Sequence, residues 1–256
     1  QLVEADWPPE AASRLKRLTN SGGALGRSLV RRLRTKFPEA DLYPMYGLTE
    51  AFRSTYLDPT LVDSHPESMG RAIPFAEILV VKPDGALTAD GEPGELVHAG
   101  PLVAKGYWND PARTAERFRP APQSSQSGGL AVWSGDTVMR DAEGLLYFVG
   151  RDDEMIKSQG NRISPAEIEE AAIASGAVSE AMALGLPDPR MGHAIHIVAR
   201  PAPGLTGIDA ESRLRTWLKL ELPGFMQPTK VHLRDALPRN PNGKLDRAAI
   251  RAGLAS

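Results

Sequence analysis

Between residues 150 and 167 this chain places a dense run of charge, two glycines and a helix start between segments of unlike texture. No other feature constrains the fold as much. The string reads Gly150-Arg151-Asp152-Asp153-Glu154-Met155-Ile156-Lys157, then Ser158-Gln159-Gly160-Asn161-Arg162-Ile163-Ser164-Pro165-Ala166-Glu167. It reads as a junction between two foldable bodies that must touch the same ligand.

The length of 256 residues allows one large domain or two ordinary ones, with chain enough for a real core either way. Hydrophobic residues are 41% and charged residues 24%, the balance of a soluble globular protein. Net charge is −2, and neither half is basic enough for nucleic acid or a polybasic membrane anchor. The lack of cysteine excludes disulfides, a Cys-based zinc site and a thiol nucleophile. No apolar run approaches the ~20 residues of a membrane span, and no signal peptide is visible, so a cytoplasmic protein is expected. The chain begins at Gln1, close to a predicted strand, which suggests a piece of a longer protein.

The pattern predicts three parts. Residues 1–60 read as the end of a larger α/β sheet: a strand at Leu15–Thr19, a helix with Leu29, Val30, Leu33 and Phe37 on one face, and a strand at Leu42–Tyr46. Having lost sheet neighbours, this piece is expected to expose an apolar face. Residues 61–150 alternate short apolar runs (Glu77–Val81, Glu95–Val97, Leu145–Val149) with Asp-Gly and Glu-Gly turns, the texture of a β-rich subdomain. The Pro/Ser/Gln/Gly-rich stretch Pro120–Gly129 reads as a mobile surface loop. Residues 151–256 read as a separate small α+β domain. Ser164 is its N-cap, Pro165 its first helical position and Glu167 the capping-box acid. Strands follow at Val178–Leu186 and His193–Arg200, then a helix at Asp209–Leu222 and a strand at Lys230–Leu233. The fold class is therefore α/β for the front and α+β for the small C-terminal domain.

Several short strings carry groups suited to chemistry. In Tyr46-Gly47-Leu48-Thr49-Glu50, glycine admits close backbone approach, Thr offers a hydroxyl to a phosphate, and Glu an oxygen to Mg²⁺. By itself a structural turn is the default reading of these five residues. Ser21-Gly22-Gly23-Ala24 reads, on its own, as a plain strand-to-helix turn. In Trp133-Ser134-Gly135-Asp136 the carboxylate can accept two hydroxyl hydrogen bonds, or merely cap a turn. Pro238-Arg239-Asn240-Pro241-Asn242-Gly243-Lys244-Leu245-Asp246 is, on composition, a surface turn bearing a solvated lysine. His193 and His196 sit three apart in a predicted strand and point to opposite faces, which argues against a shared metal. No Ser-His-Asp set has a nucleophile turn.

Taken together and in order, these blocks resemble the AMP-forming acyl-activating superfamily of acyl-CoA synthetases, peptide-synthetase adenylation domains and luciferases. The strings Tyr46–Tyr56, Gly106-Tyr107-Trp108-Asn109 and Thr114–Phe118 look most like acyl-CoA ligases, and more narrowly like those of exosortase-linked gene clusters. The resemblance implies a nucleotide site made by Gly22, Gly23, Ala24, Tyr46, Gly47, Thr49, Asp136 and Arg151, with Glu50 on magnesium. Tyr46 would lie against adenine, Thr49 on phosphate, and Asp136 and Arg151 on the ribose. It further implies a hinge at Asp153, Lys244 as the adenylating lysine, and Lys157 with Gly160 serving the thioester-forming step, Gly160 lining the pantetheine tunnel. The implied substrates and cofactors are a carboxylic acid, ATP, Mg²⁺ and coenzyme A, or a phosphopantetheinyl carrier protein in its place. The family's phosphate loop, expected upstream of Gly22, has no counterpart here. That departure keeps open a module that binds nucleotide without turnover.

Overall fold

The computed structural model describes residues 2–3, 5–20, 25–151, 154–241 and 243–255. The chain divides into two compact units, Gln1–Val149 and Gly150–Ser256.

The first unit opens with helix α1 (Pro9–Arg14), strand β1 (Arg17–Thr19), helix α2 (Arg27–Lys36) and strand β2 (Asp41–Tyr43). β1 and β2 pair in parallel, Leu18 opposite Leu42, so α2 is the crossover of one βαβ unit. Val30, Leu33, Phe37, Ala40 and Leu42 form its core with Leu57, Val62 and Leu145. Trp7 packs edge-on against Phe37 at 5.3 Å between ring centroids. Leu15, Leu18 and Leu29 are partly buried against this cluster, so this part of the expected apolar face is covered. Within residues 1–60 Phe52 stays exposed, and Phe75 and Trp108 are further bare aromatics.

The strand expected over Leu42–Tyr46 is broken. β2 stops at Tyr43, and β3 (Met45–Tyr46) belongs to a different sheet. Pro44 lies between them; it has no N–H to continue a ladder, while its carbonyl accepts from Leu57 N–H at 2.8 Å. The chain changes sheets at this proline.

The second sheet has eight strands: β3, β4 (Thr55–Tyr56), β5 (Ser68–Ala72), β6 (Glu77–Val81), β7 (Pro93–Ala99), β8 (Phe118–Pro120), β9 (Leu130–Arg140) and β10 (Leu146–Arg151). Its order is β3-β4-β5-β10-β9-β7-β6, with β8 also on β9; helix α3 (Pro111–Arg117) precedes β8. Both faces are buried. Met69, Val80, Leu96, Val138 and Leu146 pack on one; Leu79, Val81, Val97, Ala99 and Ala131 pack on the other.

The stretch Pro120–Gly129, expected as a mobile loop, is gathered around one carboxylate. Glu77 accepts from Ser125 Oγ at 2.7 Å and from the backbone N–H groups of Gln126 and Ser127 at 2.8 and 2.9 Å. Partial burial works against the charge of Glu77, but these donors outweigh it and hold the carboxyl at about 2. Because that value is depressed from 4.5, the clamp contributes fully above the ordinary carboxyl range and is lost as pH falls toward 2. Glu77→Ala is expected to cost about 1–2 kcal/mol. Hydrogen exchange at Gln126 and Ser127 should accelerate selectively in that variant, and unchanged exchange there would refute the clamp.

The second unit holds β11 (Ile156–Ser158), β12 (Asn161–Ile163), helix α4 (Pro165–Ala174), β13 (Val178–Asp188), β14 (Gly192–Pro201), helix α5 (Gly207–Glu221), β15 (Lys230–Leu233) and helix α6 (Arg247–Ala255). Its sheet runs β12-β11-β14-β13, with β15 parallel to β14. Ile156, Ile168, Ile195, Ile197, Leu214 and Leu218 fill the α4–α5 face. Met182, Leu184, Val198 and Ile250 fill the α6 face. Ser164 does stand at the N-cap of α4, with Pro165 first in the helix, but its hydroxyl makes no capping bond to the helix amides.

β13 is an edge strand, and edge strands leave backbone groups open to foreign pairing. Here side chains take them. Ala183 N–H donates to Glu169 at 2.9 Å, Ala183 C=O accepts from Arg247 at 2.6 Å, and Gly185 C=O accepts from Arg251 at 3.0 Å.

Candidate functional site

In the first unit the loop Gly47–Arg53 joins β3 to β4, which pair as Met45 with Tyr56 and Tyr46 with Thr55. The loop folds back tightly. A Cβ at Gly47 would lie 2.7 Å from Arg53 N, closer than any side chain allows, so glycine is required by the packing of the loop on itself. Arg53 closes it in the left-handed region at φ 59°, where few side chains sit. Thr49 is exposed at the tip and Glu50 is half-buried.

Tyr46 and Asp136, ninety positions apart, meet: the phenol O–H donates to Asp136 Oδ2 at 2.6 Å. Asp136 is only 4% exposed and reaches this place through a bulge in β9. The β7–β9 register slips between Glu95 and Val97, and Gly135 takes φ +69°. Glu95 accepts from Gly135 N–H at 2.9 Å, and Arg117 donates to Ser134 C=O at 2.8 Å. A Cβ on Gly135 would stand 2.4 Å from Arg117 Nη1. Arg117 therefore fills the space that glycine leaves and braces the bulge that delivers Asp136.

Glu50 is also held from a distance. Tyr107 donates its O–H to Glu50 Oε1, and Ala104 N–H donates to Glu50 C=O at 2.8 Å. Burial and the adjacent Glu50 carboxylate raise the Tyr107 phenol above its ordinary value, so it remains a donor at neutral pH. Tyr107 and Arg117 were visible in the sequence only as members of the strings around Gly106 and Thr114. Nothing local signals that one reaches Glu50 and the other the Gly135 bulge.

Gly22, Gly23 and Ala24 lie outside the described residues, as does Asp153. The neighbouring Asn20 accepts from Met45 N–H at 2.7 Å through its side-chain oxygen, which ties the end of β1 to the start of β3.

In the second unit Arg151 ends β10, and its carbonyl accepts from Glu154 and Met155 N–H, both at 3.1 Å. Lys157 is exposed on β11; its carbonyl lies 3.0 Å from His193 Nδ1. Gln159 and Gly160 are the two-residue turn between β11 and β12, with φ 50° and 78°, the signature of a type I′ hairpin. A Cβ at Gly160 would meet nothing within 4 Å. The turn conformation accounts for glycine here, and the space above it is open.

Lys244 is exposed at the end of a tight turn. Its N–H donates to Asn240 Oδ1 at 3.0 Å, and its carbonyl accepts from Asn240 N–H at 2.8 Å. Arg239 donates to Gly243 C=O at 2.7 Å and pairs with Glu180 on β13. The lysine thus stands on a braced support. His193 and His196 do not meet; His196 Nδ1 lies 3.1 Å from His232 Nε2 instead. Among the described residues no cluster of three or more metal-binding side chains forms, and no helix is long and apolar enough to cross a membrane.

Residues 1–108 match the AMP-binding enzyme family, and residues 167–244 match the AMP-binding enzyme C-terminal domain. The chain is 33% identical to benzoate–CoA ligase of Thauera aromatica, over 98% of this chain and 46% of that protein. It is also 33% identical to tyrocidine synthase 2 of Brevibacillus parabrevis, over 97% of this chain and 7% of that protein. The structure of o-succinylbenzoate CoA synthetase from Bacillus subtilis, in complex with its acyl-adenylate intermediate, aligns at a TM-score of 0.79 and 28% identity, over 98% of this chain and 48% of that one. The chain spans less than half the length of these ligases.

Proposed function

This chain belongs to the adenylate-forming superfamily of acyl-CoA ligases and peptide-synthetase adenylation domains, and from that premise we propose that it is part of a cytoplasmic, ATP-dependent, AMP-forming acid–thiol ligase. Such an enzyme joins a carboxylate to the α-phosphate of ATP, releasing pyrophosphate, and then passes the acyl group to the thiol of coenzyme A, releasing AMP.

The observation that carries the reading is the Tyr46–Asp136 pair beside the Gly47–Glu50 turn. A buried carboxylate next to an aromatic ring suits a ribose and its base: the carboxylate accepts hydroxyl hydrogen bonds while the ring offers a flat apolar face. Thr49 at the exposed tip would receive phosphate. A single carboxylate, Glu50, suits magnesium, which is commonly held by one or two carboxylates plus substrate phosphates; there the ion would offset phosphate charge. In the second unit Lys244 would stabilise charge at the α-phosphate during adenylation. Lys157 and Gly160 would serve thioester formation, the open space over Gly160 leaving room for a pantetheine arm. Arg151 would contact the ribose, and Asp153 would be the hinge between the two steps.

A second reading follows from the equal identity to tyrocidine synthase 2: the acyl acceptor is the phosphopantetheine thiol of a carrier protein. One experiment separates the two. The protein is given MgATP and a panel of carboxylic acids, pyrophosphate release is measured, and free coenzyme A is compared with a holo-carrier as acceptor. Thioester on coenzyme A is the expected result. Transfer only to the carrier supports the second reading. Nucleotide binding with no pyrophosphate release from any acid overturns both and leaves a non-catalytic binding module.

A further inference from the structure

Behind the Gly47–Ala51 turn lies a buried pair that the proposed chemistry does not use. His98 on β7 and Ser54 before β4 are both 0% exposed, with Ser54 Oγ 2.9 Å from His98 Nδ1. The surroundings are apolar: His98 is in register with Ile78 on one side and Val132 on the other, and Ala51 and Phe118 pack against Val132. His98 Nε2 has no partner among the described residues. An aliphatic side chain would suit this strand position better than a half-satisfied imidazole, so the histidine is there for its single bond.

The direction of that bond follows from what stays unpaired. Burial lowers His98 to about 4, so at neutral pH the ring carries one N–H. If that hydrogen were on Nε2, a buried N–H would be orphaned, which is rarer and costlier than an unused lone pair. The hydrogen is therefore on Nδ1 and is donated to Ser54 Oγ. The Ser54 hydroxyl then donates onward to Ala51 C=O at 3.4 Å, and Leu48 N–H reaches the same carbonyl at 3.3 Å. Thr49 and Glu50 are the residues enclosed between Leu48 and Ala51.

We propose that His98 is a positioning residue which, through Ser54, sets the turn presenting Thr49 and Glu50. Its importance for catalysis rests on the nucleotide reading of that turn; the clamp itself does not. Tyr107 fixes the Glu50 carboxylate from the front, and the His98–Ser54 chain fixes the backbone from behind.

The test uses three replacements at His98 and one at Ser54. His98→Asn places an amide nitrogen near the Nδ1 position, His98→Gln places it near Nε2, and His98→Leu fills the space without a donor. Ser54→Ala removes the relay and leaves the ring. Two quantities are read: exchange of the Leu48 amide in the chain, and KM for MgATP against kcat in pyrophosphate exchange by the full-length protein. Gln, Leu and Ala should speed Leu48 exchange and raise KM for MgATP about tenfold, the loss of one hydrogen bond's positioning, with kcat changed less; Asn should restore both. The proposal is overturned if Leu48 exchange ignores the series, or if Asn behaves like Leu. If Leu48 exchange follows the series while no variant, nor the parent protein, exchanges pyrophosphate, the clamp stands and the nucleotide reading falls.

Discussion

Lys244→Ala is expected to reduce ATP–pyrophosphate exchange by about 10²–10³-fold, the usual cost of removing one group that stabilises transition-state charge. Thioester formation from preformed acyl-adenylate should remain within a few-fold of the parent protein. The asymmetry is the content of the prediction. The turn bearing Lys244 is built by groups other than the lysine side chain: Asn240 closes it through backbone and side-chain bonds, Gly243 takes φ +78°, and Arg239 ties it to Glu180. Truncating the side chain therefore removes an ammonium without unmaking its support. Loss of both half-reactions to the same extent would assign Lys244 to binding or to structure. Retention of both would leave it the solvated surface lysine that its composition suggests.

What could be read from the sequence was local. The βαβ unit was legible because the apolar face of α2 and its flanking strands are contiguous in the chain. Ser164-Pro165 marked the start of α4, and β13, β14 and β15 fell close to where apolar runs predicted them, while the short strands β11 and β12 inside the charged junction gave no such signal. The break at Pro44 was readable in principle, since a proline cannot donate within a ladder. What could not be read were meetings between residues far apart in the chain. Tyr46 finds Asp136 across ninety positions, although β4, β5 and β10 lie between β3 and β9 in the sheet order. Pro120–Gly129 looked like a mobile loop because its own residues offer no core. Its anchor, Glu77, lies in an earlier strand. His98 sits in an apolar run and gave no sign of a partner at Ser54, forty-four positions away.

The candidate groups of the two units differ in how they are held. The groups in the first unit depend on long-range braces: Tyr107 for Glu50, Arg117 for the Asp136 bulge. Those in the second unit sit on short-range turns, at Gln159-Gly160 and Asn240–Lys244. Substitutions far from the Gly47–Glu50 turn can therefore disturb the first unit's groups, whereas Lys244 answers mainly to its own turn and to Arg239, which ties that turn to Glu180 on β13.

The largest stability effect is expected at Arg247, the first residue of α6. Arg247 pairs with Glu169 at 2.9 Å and with Glu154 at 3.1 Å, and donates to Ala183 C=O. Both Arg247 and Glu169 side chains are only 21% exposed. Burial raises the Glu169 carboxyl above its ordinary value even with Arg247 opposing it. Arg247→Ala would leave that carboxylate beside an unfilled space and strip Ala183 C=O of its donor. Breaking a buried pair from one side costs about 3–5 kcal/mol; partial exposure reduces this to about 2–3 kcal/mol. For a unit of this size that is a fall of roughly 10–20 °C in Tm, read by calorimetry of the second unit's transition. The loss should depend on pH. A carboxyl raised in the folded state binds its proton more tightly there than in the unfolded chain, so the variant regains stability as pH falls, fully below 4.5, and loses it as pH rises through the folded value. Adding Glu169→Gln to Arg247→Ala should recover most of the loss at neutral pH, because the amide oxygen still accepts from Ala183 N–H and carries no charge. If the double variant is no more stable than Arg247→Ala alone, the cost lies in the lost edge cover of β13 and not in a stranded carboxylate.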